Sequence, residues 1–427
     1  MLAAESNATL NQVGPETPLG RMLRRYWHPI ALSTQVAEPD GPPLRAKLLG
    51  ERFVVFRDTD GKVGVLDEAC PHRRVSLALG RNEAGGLRCL YHGWKFAVDG
   101  TILETPNHDD CRLRERLKAP AYPVHELSGM IWTYIGPKAQ EPPFRRFQYD
   151  TVPERRRVVV RSNCKANWLA LWEGGVDSSH AGILHTNAVR PSWLARRRGE
   201  PEIDGPALEN LLPALELEDT GFGFHYCAIR ELAAAAEGPT FNARIVPSAL
   251  PYFRIIPFFE NAFNIAVLEV PLDDFETANY MITYSETQEL DRDEILQFHG
   301  LRPPFYDEAT CDIRLDWADG LGQDRTIMQS NWSGYPGVQL EDFAMSTSLG
   351  TGLDRTKEHL VASDKAVVRL RHRVLEAIQL NENGEDPFAV MCADMTHVSG
   401  CDRNYRSGER WQDFVPDHQR LDPVAAA

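Results

Sequence analysis

The sequence predicts an α+β protein, with an all-β domain followed by a larger domain of mixed strands and helices. Three observations support this prediction. Residues 41–140 contain short apolar runs separated by turn dipeptides, a pattern typical of β-hairpins. After residue 158, strand-like runs are mixed with helical patterns. The chain has 427 residues, and because domains usually contain about 100–200 residues, it is long enough for two or three of them.

The composition is that of a globular protein, and its charge argues against a nucleic-acid partner. Hydrophobic residues make up 43% and charged residues 25%, which allows a substantial core. Asp and Glu number 61 against 46 Lys and Arg, so the net charge is −15. We expect neither a membrane helix, which needs about 18 apolar residues, nor a signal peptide, which needs a basic start. Eight scattered cysteines are typical of a reducing compartment, which predicts a cytoplasmic protein.

The first domain is predicted from turn and breaker residues. Residues 1–40 are expected to form an N-terminal helical segment, in which a basic amphipathic helix stops at Pro29. Two Asp-Gly dipeptides, at 60–61 and 99–100, each separate two apolar runs. Such dipeptides favour tight hairpin turns, so we predict two hairpins within an all-β domain at 41–140.

A linker and a mixed domain are predicted to follow. The passage at 141–157 is rich in Pro and Arg, which is typical of a linker, and 158–427 then forms the second domain. Helical character at 163–171 precedes strand-like runs at 245–246, 253–256, 263–270 and 280–284. Near the end, Ser363 could cap a helix whose apolar face contains Val367, Leu370, Val374 and Ile378.

A first group of metal-ligating residues lies in the all-β domain. Cys70 and His72 form a Cys-x-His pair at one turn, and Cys89 and His92 form a Cys-x-x-His pair at another. Two thiolates and two imidazoles suit either a tetrahedral zinc ion or a two-iron cluster. Because zinc ligands are usually spaced by two or more residues, Cys-x-His favours the cluster of Rieske type, in which one iron takes both Cys and the other both His.

A second group of candidate ligands begins at Asp177. At about 100° per residue, Asp177 and His180 share a helical face, whereas His180 and His185 lie about 140° apart. Convergence on one ion therefore requires a broken or π-distorted turn. Freedom for such a turn is expected from Gly174, Gly175 and Gly182. Two His and one carboxylate are typical of non-haem iron, although two polar His on a surface helix are the alternative for this motif alone.

The flanking residues identify a family resemblance over nearly the whole chain. The Cys-Pro-His-Arg-Arg and Cys-x-Tyr-His-Gly-Trp segments resemble the Rieske domain of aromatic-ring-hydroxylating oxygenases. Glu-Gly-Gly-x-Asp-Ser-Ser-His-x4-His from residue 173 and Arg-Arg-Tyr-Trp-His-Pro from residue 24 most resemble catalytic (alpha) subunits of the phthalate-dioxygenase-like branch. The resemblance implies a Rieske [2Fe-2S] domain followed by a helix-grip (Bet v 1/START-like) catalytic domain with a central antiparallel sheet.

The resemblance also implies roles for the second group of residues. His180 and His185 correspond to the two His ligands of a mononuclear non-haem Fe(II). Asp177 corresponds to the acid that bridges one of these His to the cluster ligand His92 of the neighbouring subunit, which is a reasonable role for a carboxylate between two imidazoles.

The third ligand of the mononuclear iron is implied to be an acid far downstream at the start of a helix. The segment from Gln339 to Ser346 resembles that region, and we select Asp342 within it. Glu341, Asp354 and Asp364 are competing candidates, and ordinary acids at a helix start are the alternative.

The implied function is that of an oxygenase component that uses O2 to hydroxylate an aromatic substrate. The chain has no Gly-x-Gly-x-x-Gly after a strand and no plant-type ferredoxin Cys run. We therefore expect a separate NAD(P)H-dependent flavin or iron–sulfur reductase as the electron donor. The family implies electron transfer across subunits in a head-to-tail homotrimer or a stacked hexamer, and a ring of this kind obeys the symmetry rules.

The substrate is predicted from two arginines. Arg230 and Arg244 fall where phthalate-type enzymes hold a carboxylate, and a guanidinium fork suits that group. This predicts an aromatic acid, with surface arginines as the alternative. An O-demethylase of a methoxy- or aryloxy-aromatic acid would use the same ligands. A Rieske electron-transfer protein is disfavoured because a carrier needs no second domain of about 270 residues, and a zinc-organised binding protein would lack iron.

Overall fold

The computed structural model describes residues 2–109, 111–189, 212–232, 239–258 and 262–416. Two compact units are formed, one by residues 13–144 and one by residues 1–12 together with 145–427. No helix in these described ranges is long and apolar enough to cross a membrane.

The helices lie mainly in the unit that contains the C-terminal part of the chain. Their bounds are α1 (Ala4–Asn11), α2 (Pro18–Leu23), α3 (Cys111–Arg116), α4 (Trp168–Val176), α5 (Ala181–Leu184), α6 (Thr186–Val189), α7 (Arg292–Phe298), α8 (Val338–Ser348) and α9 (Lys365–Glu382).

The 13–144 unit is built from three antiparallel sheets, in the orders β1-β11-β10, β2-β3-β4-β9 and β5-β6-β7-β8. Both predicted hairpins are confirmed, since β3 pairs with β4 and β7 pairs with β8 around the two Asp-Gly turns. The strands are β1 (Trp27–Leu32), β2 (Leu44–Leu48), β3 (Glu51–Arg57), β4 (Val63–Asp67), β5 (Arg81–Glu83), β6 (Gly86–Arg88), β7 (Lys95–Phe96), β8 (Ile102–Glu104), β9 (Ala121–Tyr122), β10 (Val124–Leu127) and β11 (Met130–Tyr134).

The N-terminal segment differs from the helical one expected at 1–40. Helix α2 ends at Leu23, and residues 27–32 form strand β1, which pairs with β11. Every residue of β1 is buried. Burial and strand pairing therefore override the local helical pattern, as tertiary context often does for short segments.

The second unit is organised around a sheet of ten strands, in the order β14-β15-β16-β17-β18-β19-β13-β21-β20, with β23 paired to β16. Neighbours are antiparallel except β13 and β21. The strands are β12 (Arg146–Phe147), β13 (Arg157–Cys164), β14 (Ala214–Thr220), β15 (Gly223–Glu231), β16 (Thr240–Ala249), β17 (Phe253–Pro257), β18 (Asn264–Pro271), β19 (Thr277–Tyr284), β20 (Tyr306–Asp307), β21 (Asp312–Ile313), β22 (Asp394–Met395) and β23 (Cys401–Arg406). Together with the helices, this sheet confirms the α+β fold class.

Two boundaries in the structure differ from the predicted ones. Helical character was expected from residue 163, but Asn163 and Cys164 end strand β13 and α4 begins at Trp168, where the Asn167 side chain accepts a hydrogen bond from Leu169 N at 3.1 Å. Residue 145, in the predicted 141–157 linker, donates through its guanidinium to the carbonyls of Leu250 and Ala389. These contacts attach residue 145 to the second unit.

The predicted C-terminal helix is present as α9, and its apolar face is buried as expected. Ser363 does not cap it, because this residue lies in a 3-10 turn at 362–364 and the helix begins at Lys365. The four residues predicted for the apolar face are buried, namely Val367, Leu370, Val374 and Ile378.

Candidate metal centres and cavity

The predicted cluster ligands lie on two loops with the same backbone geometry. In each loop the cysteine N–H donates to the carbonyl five residues later, and the cysteine carbonyl accepts from the N–H four residues later, at 2.8–3.0 Å. These bonds curl both loops in the same way, so the Cys and the following His of each loop are displayed together. Each pair is therefore brought together by hydrogen bonds within its own loop.

The four side chains fit a metal centre. Cys70 and Cys89 are buried, and the rings of His72 and His92 lie with their centroids 4.5 Å apart. Nδ1 of His92 is buried and has no hydrogen-bond partner among the described residues, which fits a nitrogen that ligates a metal ion. Trp94 stacks on His72 with an interplanar angle of 4° and orients that ring.

The spacing of these side chains fits two metal ions better than one. Within the described ranges, only one set of three Cys, His, Asp or Glu side chains brings its ligand atoms within 4.8 Å of one another, and none of the cluster ligands belongs to it. A tetrahedral zinc ion would need four such atoms close together, whereas a Rieske cluster separates the Cys pair from the His pair. The geometry therefore favours the cluster over the zinc alternative.

The electrostatics of this site also suit a metal cluster. Burial raises the pKa of the Cys70 thiol to about 11, so this group becomes a thiolate only beside a positive centre. Burial and the neighbouring His92 lower the pKa of His72, which favours the neutral imidazole that metal ligation requires.

The set within 4.8 Å consists of His180, His185 and Asp342. Oδ1 of Asp342 lies 3.2 Å from Nε2 of His185 and 3.6 Å from Nε2 of His180. Two imidazoles and one carboxylate converge on a single position, as expected from the sequence. This is the ligand set that suits non-haem iron and leaves coordination positions open.

A broken helix brings the two His together. Helix α4 ends at Val176, the following Asp177 has extended backbone angles, and α5 is only four residues long. His180 precedes α5 and His185 follows it with φ −93° and ψ 20°, outside helical geometry. On an ideal helix the two side chains would point about 140° apart. Because the helix is broken, the two rings instead lie with their centroids 5.1 Å apart.

Each His ring has an acid on the side away from the common position. Nδ1 of His185 lies 2.6 Å from Oε2 of Glu341, which is buried and also accepts a hydrogen bond from Ser333. Nδ1 of His180 lies 3.5 Å from Oδ2 of Asp177. A carboxylate that accepts a hydrogen bond from Nδ1–H, as Glu341 does from His185, leaves the Nε2 lone pair facing the metal position.

The acids give this site a strongly negative potential. Burial opposes the charge of His185, but Asp342 and Glu341 raise the pKa of this histidine to about 10. Burial likewise disfavours the charged form of Asp177, yet His180 and the Ser179 donors lower its pKa to about 2. Acids that favour positive charge at this position suit it to a divalent metal ion.

The competing acids do not join this group. Asp354 accepts from Thr356 N at the start of a 3-10 turn, and Asp364 accepts from Val361 N. Glu341 contacts His185 from behind rather than facing the common position.

A cavity opens beside the three converging side chains and is lined partly by the sheet. Arg244 and Arg254 line it, and each has an acidic partner: Nη1 of Arg244 lies 3.4 Å from Asp402, and Arg254 forms a buried ion pair with Glu269. Arg230 is not among its lining residues.

Arg230 lies behind the metal-binding loop. Its Nη2 donates to the carbonyl and hydroxyl of Ser178 at 3.0 and 3.1 Å. Burial, together with Arg244, lowers the pKa of Arg230 to about 10. The structure therefore brings Arg244 to the cavity and uses Arg230 to hold the loop between Asp177 and His180.

Family comparisons agree with both halves of this description. Residues 26–123 match the Rieske [2Fe-2S] domain, and residues 133–406 match the family described as LigXa C-terminal domain like. The second match covers more than half of the chain.

This chain is a Rieske oxygenase.

Relatives of this Rieske oxygenase are named as oxygenase subunits. The phthalate 4,5-dioxygenase oxygenase subunit of Pseudomonas putida is 36% identical over 91% of this chain and 89% of its own length. The 5,5'-dehydrodivanillate O-demethylase oxygenase subunit of Sphingobium sp. is 32% identical over 92% of this chain and 84% of its own. These similarities identify the chain as an oxidoreductase and an oxygenase subunit of the predicted branch.

A solved structure supports the fold. NdmA of Pseudomonas putida CBB5 superposes with a TM-score of 0.59 and 18% identity, and the match covers 92% of this chain and 99% of that chain. At this identity the similarity concerns the fold alone.

Sequence reasoning on this Rieske oxygenase missed two supporting residues. Glu341 was considered only as a rival ligand, although it holds His185. Arg254 was considered only as part of a strand, although a charged residue inside the apolar run of β17 is a signal of a buried partner, here Glu269.

The glycines before the broken turn do not have the predicted role of supplying backbone freedom. Gly174 and Gly175 both lie inside α4, so they do not supply unusual backbone angles. A Cβ at 175 would lie 2.0 Å from Cζ of Arg254, whereas a Cβ at 174 would meet nothing within 4 Å. Gly175 is therefore needed because the helix backbone packs directly on the Arg254 guanidinium.

Gly175→Ala is expected to lower the free energy of unfolding by about 1–3 kcal/mol, the usual effect of overpacking. It should also reduce turnover, because Arg254 would be pushed into the cavity. Gly174→Ala is the matched control and should leave stability unchanged or raise it by up to about 1 kcal/mol, since Ala favours helix more than Gly. Denaturant unfolding of both variants is the measurement, and equal effects of the two substitutions would contradict the packing argument.

Proposed function

We propose that this protein is the terminal oxygenase of a multicomponent system that hydroxylates an aromatic acid with O2. The observation that carries the proposal is the convergence of His180, His185 and Asp342 beside a cavity lined by Arg244. When bound, the cluster carries electrons and the mononuclear iron activates dioxygen. The chain's own residues hold these groups and orient the substrate.

The proposed metal-binding residues divide into two sets. The [2Fe-2S] cluster is held by one Cys pair and one His pair, namely Cys70, Cys89, His72 and His92. The mononuclear iron is held by His180, His185 and Asp342.

Asp177 is proposed to connect the two kinds of centre across a subunit interface. Its carboxylate lies beside His180 and stays ionised because its pKa is lowered to about 2. Following the family pattern, it would contact His92 of a neighbouring subunit in a head-to-tail homotrimer, alone or stacked as a hexamer. Because this arrangement needs an external electron source, the proposed partner is a separate NAD(P)H-dependent reductase. The cytoplasmic location stays a prediction.

Arg244 is the residue proposed to bind the substrate carboxylate. A guanidinium has five N–H donors, and the described contact with Asp402 engages one of them over 3.4 Å. Arg254 is less available because it forms a buried ion pair with Glu269. Arg230 is not among the residues that line the cavity and instead contacts Ser178, which is one of them.

Arg244→Ala is expected to raise the KM for aromatic acids by about 10-fold or more, because a hydrogen bond to a charged group contributes about 1.5–3 kcal/mol. The KM for neutral analogues should change little. Steady-state kinetics on both classes provide the measurement, with Arg403→Ala on the neighbouring strand β23 as an exposed control. An equal rise for acids and neutral compounds would contradict carboxylate binding.

The experiment that tests the proposed function is product analysis with 18O2. The reduced protein and a reductase are supplied with phthalates, phenoxybenzoates and methoxybenzoates, and products are analysed by mass spectrometry. Incorporation of 18O into a ring carbon of an acid supports the proposal. Oxidation of none of these compounds would refute it.

O-demethylation is the second candidate, favoured by the similarity to an O-demethylase oxygenase subunit at 32% identity. The same side chains could present a methoxy carbon instead of a ring carbon to the metal position. Release of formaldehyde from a methoxybenzoate in the same experiment distinguishes this reaction from ring hydroxylation.

A further inference from the structure

One polar residue of the cavity has no role so far. His299 follows helix α7, lines the cavity and is only 1% exposed. The two side chains whose charges act on it most are Asp342 and His185, so it lies close to the metal-binding set. It is not a member of the set whose ligand atoms lie within 4.8 Å of one another.

Both ring nitrogens of His299 are buried without a hydrogen-bond partner among the described residues. Burial lowers the pKa of this histidine to about 3, so the ring is neutral and presents one N–H donor and one acceptor. Buried polar groups are almost always satisfied, and an unsatisfied one lowers stability. Its retention at a cavity wall indicates that a bound molecule satisfies it.

The backbone of His299 is fixed to the helix that carries Asp342. Its carbonyl accepts a hydrogen bond from Leu340 N at 3.2 Å, within α8. A Cβ at Gly337 would lie 2.5 Å from the carbonyl carbon of His299 and 2.1 Å from Gly300 N, so the two segments pack backbone to backbone. The backbone segments that carry the imidazole and the Asp342 carboxylate therefore form one frame.

Both arginines that line the cavity already have a partner or a proposed one. Arg254 is paired with Glu269, and Arg244, beside Asp402, is the residue proposed to bind one substrate carboxylate. A neutral imidazole cannot compensate a second negative charge on a substrate. It suits an uncharged oxygen, which can accept a hydrogen bond without a countercharge.

We propose that His299 is a substrate-binding residue that donates a hydrogen bond to an uncharged oxygen substituent, a hydroxyl or an ether, on the aromatic acid. This inference rests on the proposed function and adds a second anchor to the one at Arg244. Two anchors determine how the ring is rotated. Because His299 and Asp342 share one frame, this bond also determines which carbon faces the metal position.

The test uses purified, iron-loaded full-length protein without oxygen, and calorimetry with two probes that differ by one oxygen atom, 3-methoxybenzoate and 3-methylbenzoate. His299→Leu is expected to weaken binding of 3-methoxybenzoate about 10-fold or more and to change binding of 3-methylbenzoate little. His299→Gln, which keeps a donor, should restore part of the affinity. His225→Leu is the control, because His225 is buried but is not among the residues that line the cavity.

Two further readouts separate binding from a structural or ligating role. Iron content should be unchanged in His299→Leu, and its Tm should equal or exceed that of the wild type, because a buried unsatisfied group has been removed.

The proposal would be overturned by loss of iron or by a lower Tm with an equal loss of affinity for both probes. It would also be overturned if the wild-type protein did not prefer 3-methoxybenzoate. Since binding is measured without oxygen, failure of the 18O2 experiment would refute the proposed reaction without affecting this test.

Discussion

His180→Ala and His185→Ala are each expected to reduce oxygenation at least about 100-fold while leaving the visible absorption of the cluster intact. Substitution of residues that merely support a metal ligand typically reduces affinity or activity 10–100-fold, and loss of a ligand should exceed this. The two His lie in the second compact unit, and the cluster ligands lie in the other. The cluster should therefore assemble normally, and the variants should lose the mononuclear iron alone.

The measurement combines iron content, the absorption and reduced-state EPR spectrum of the cluster, and product formation. His359→Ala is a suitable control, because this histidine is exposed on the same unit. Loss of the cluster spectrum in either variant would contradict the assignment of two separate metal centres. Turnover close to that of the wild type would contradict the assignment of the His ligands.

Asp177→Asn is expected to retain both metal centres and yet slow product formation by at least about 100-fold. Its carboxylate is ionised at any physiological pH, because its pKa is lowered to about 2, and it lies 3.5 Å from Nδ1 of His180. Asn has nearly the same size but carries no charge, so it can neither stabilise the His180 proton electrostatically nor form a charged bridge to a second imidazole.

Single turnover of protein with a pre-reduced cluster separates this effect from the supply of electrons by the reductase. In Asp177→Asn the slow step should persist under these conditions, while reduction of the cluster by the reductase stays normal. Asp319→Asn, which changes an exposed carboxylate, is the control. Near-normal turnover would exclude the bridging role, and loss of iron would show that Asp177 acts by holding His180.

Short-range features of the fold were predictable because the residues that determine them are neighbours in the chain. The Asp-Gly turns at 60–61 and 99–100 define hairpins by their own backbone preferences. Strand β1 was not predictable in the same way. Its partner β11 lies about a hundred residues later, and burial against that strand outweighs the local helical pattern.

The third candidate iron ligand likewise could not be predicted from local sequence patterns. Residue 341, next to Asp342, is separated from His185 by 156 residues. No spacing rule spans such a distance, so Asp342 was chosen by family resemblance. Helix geometry then separates the neighbouring acids, because successive residues point about 100° apart. Asp342 faces the two His rings and Glu341 lies behind one of them.

The amino-acid sequence by itself determined the α+β class, the two local ligand pairs, the His180/His185 motif and the family. Each depends on a short pattern whose chemistry is complete within a few residues. Only the tertiary structure decided that Arg244 rather than Arg230 lines the cavity, and that the ring of His299 lies there with no hydrogen-bond partner among the described residues. The two arginines have the same chemistry and lie on adjacent strands. The difference arises because the loop that contains Ser178 contacts Arg230. Ser178 lies 52 residues earlier in the chain than Arg230.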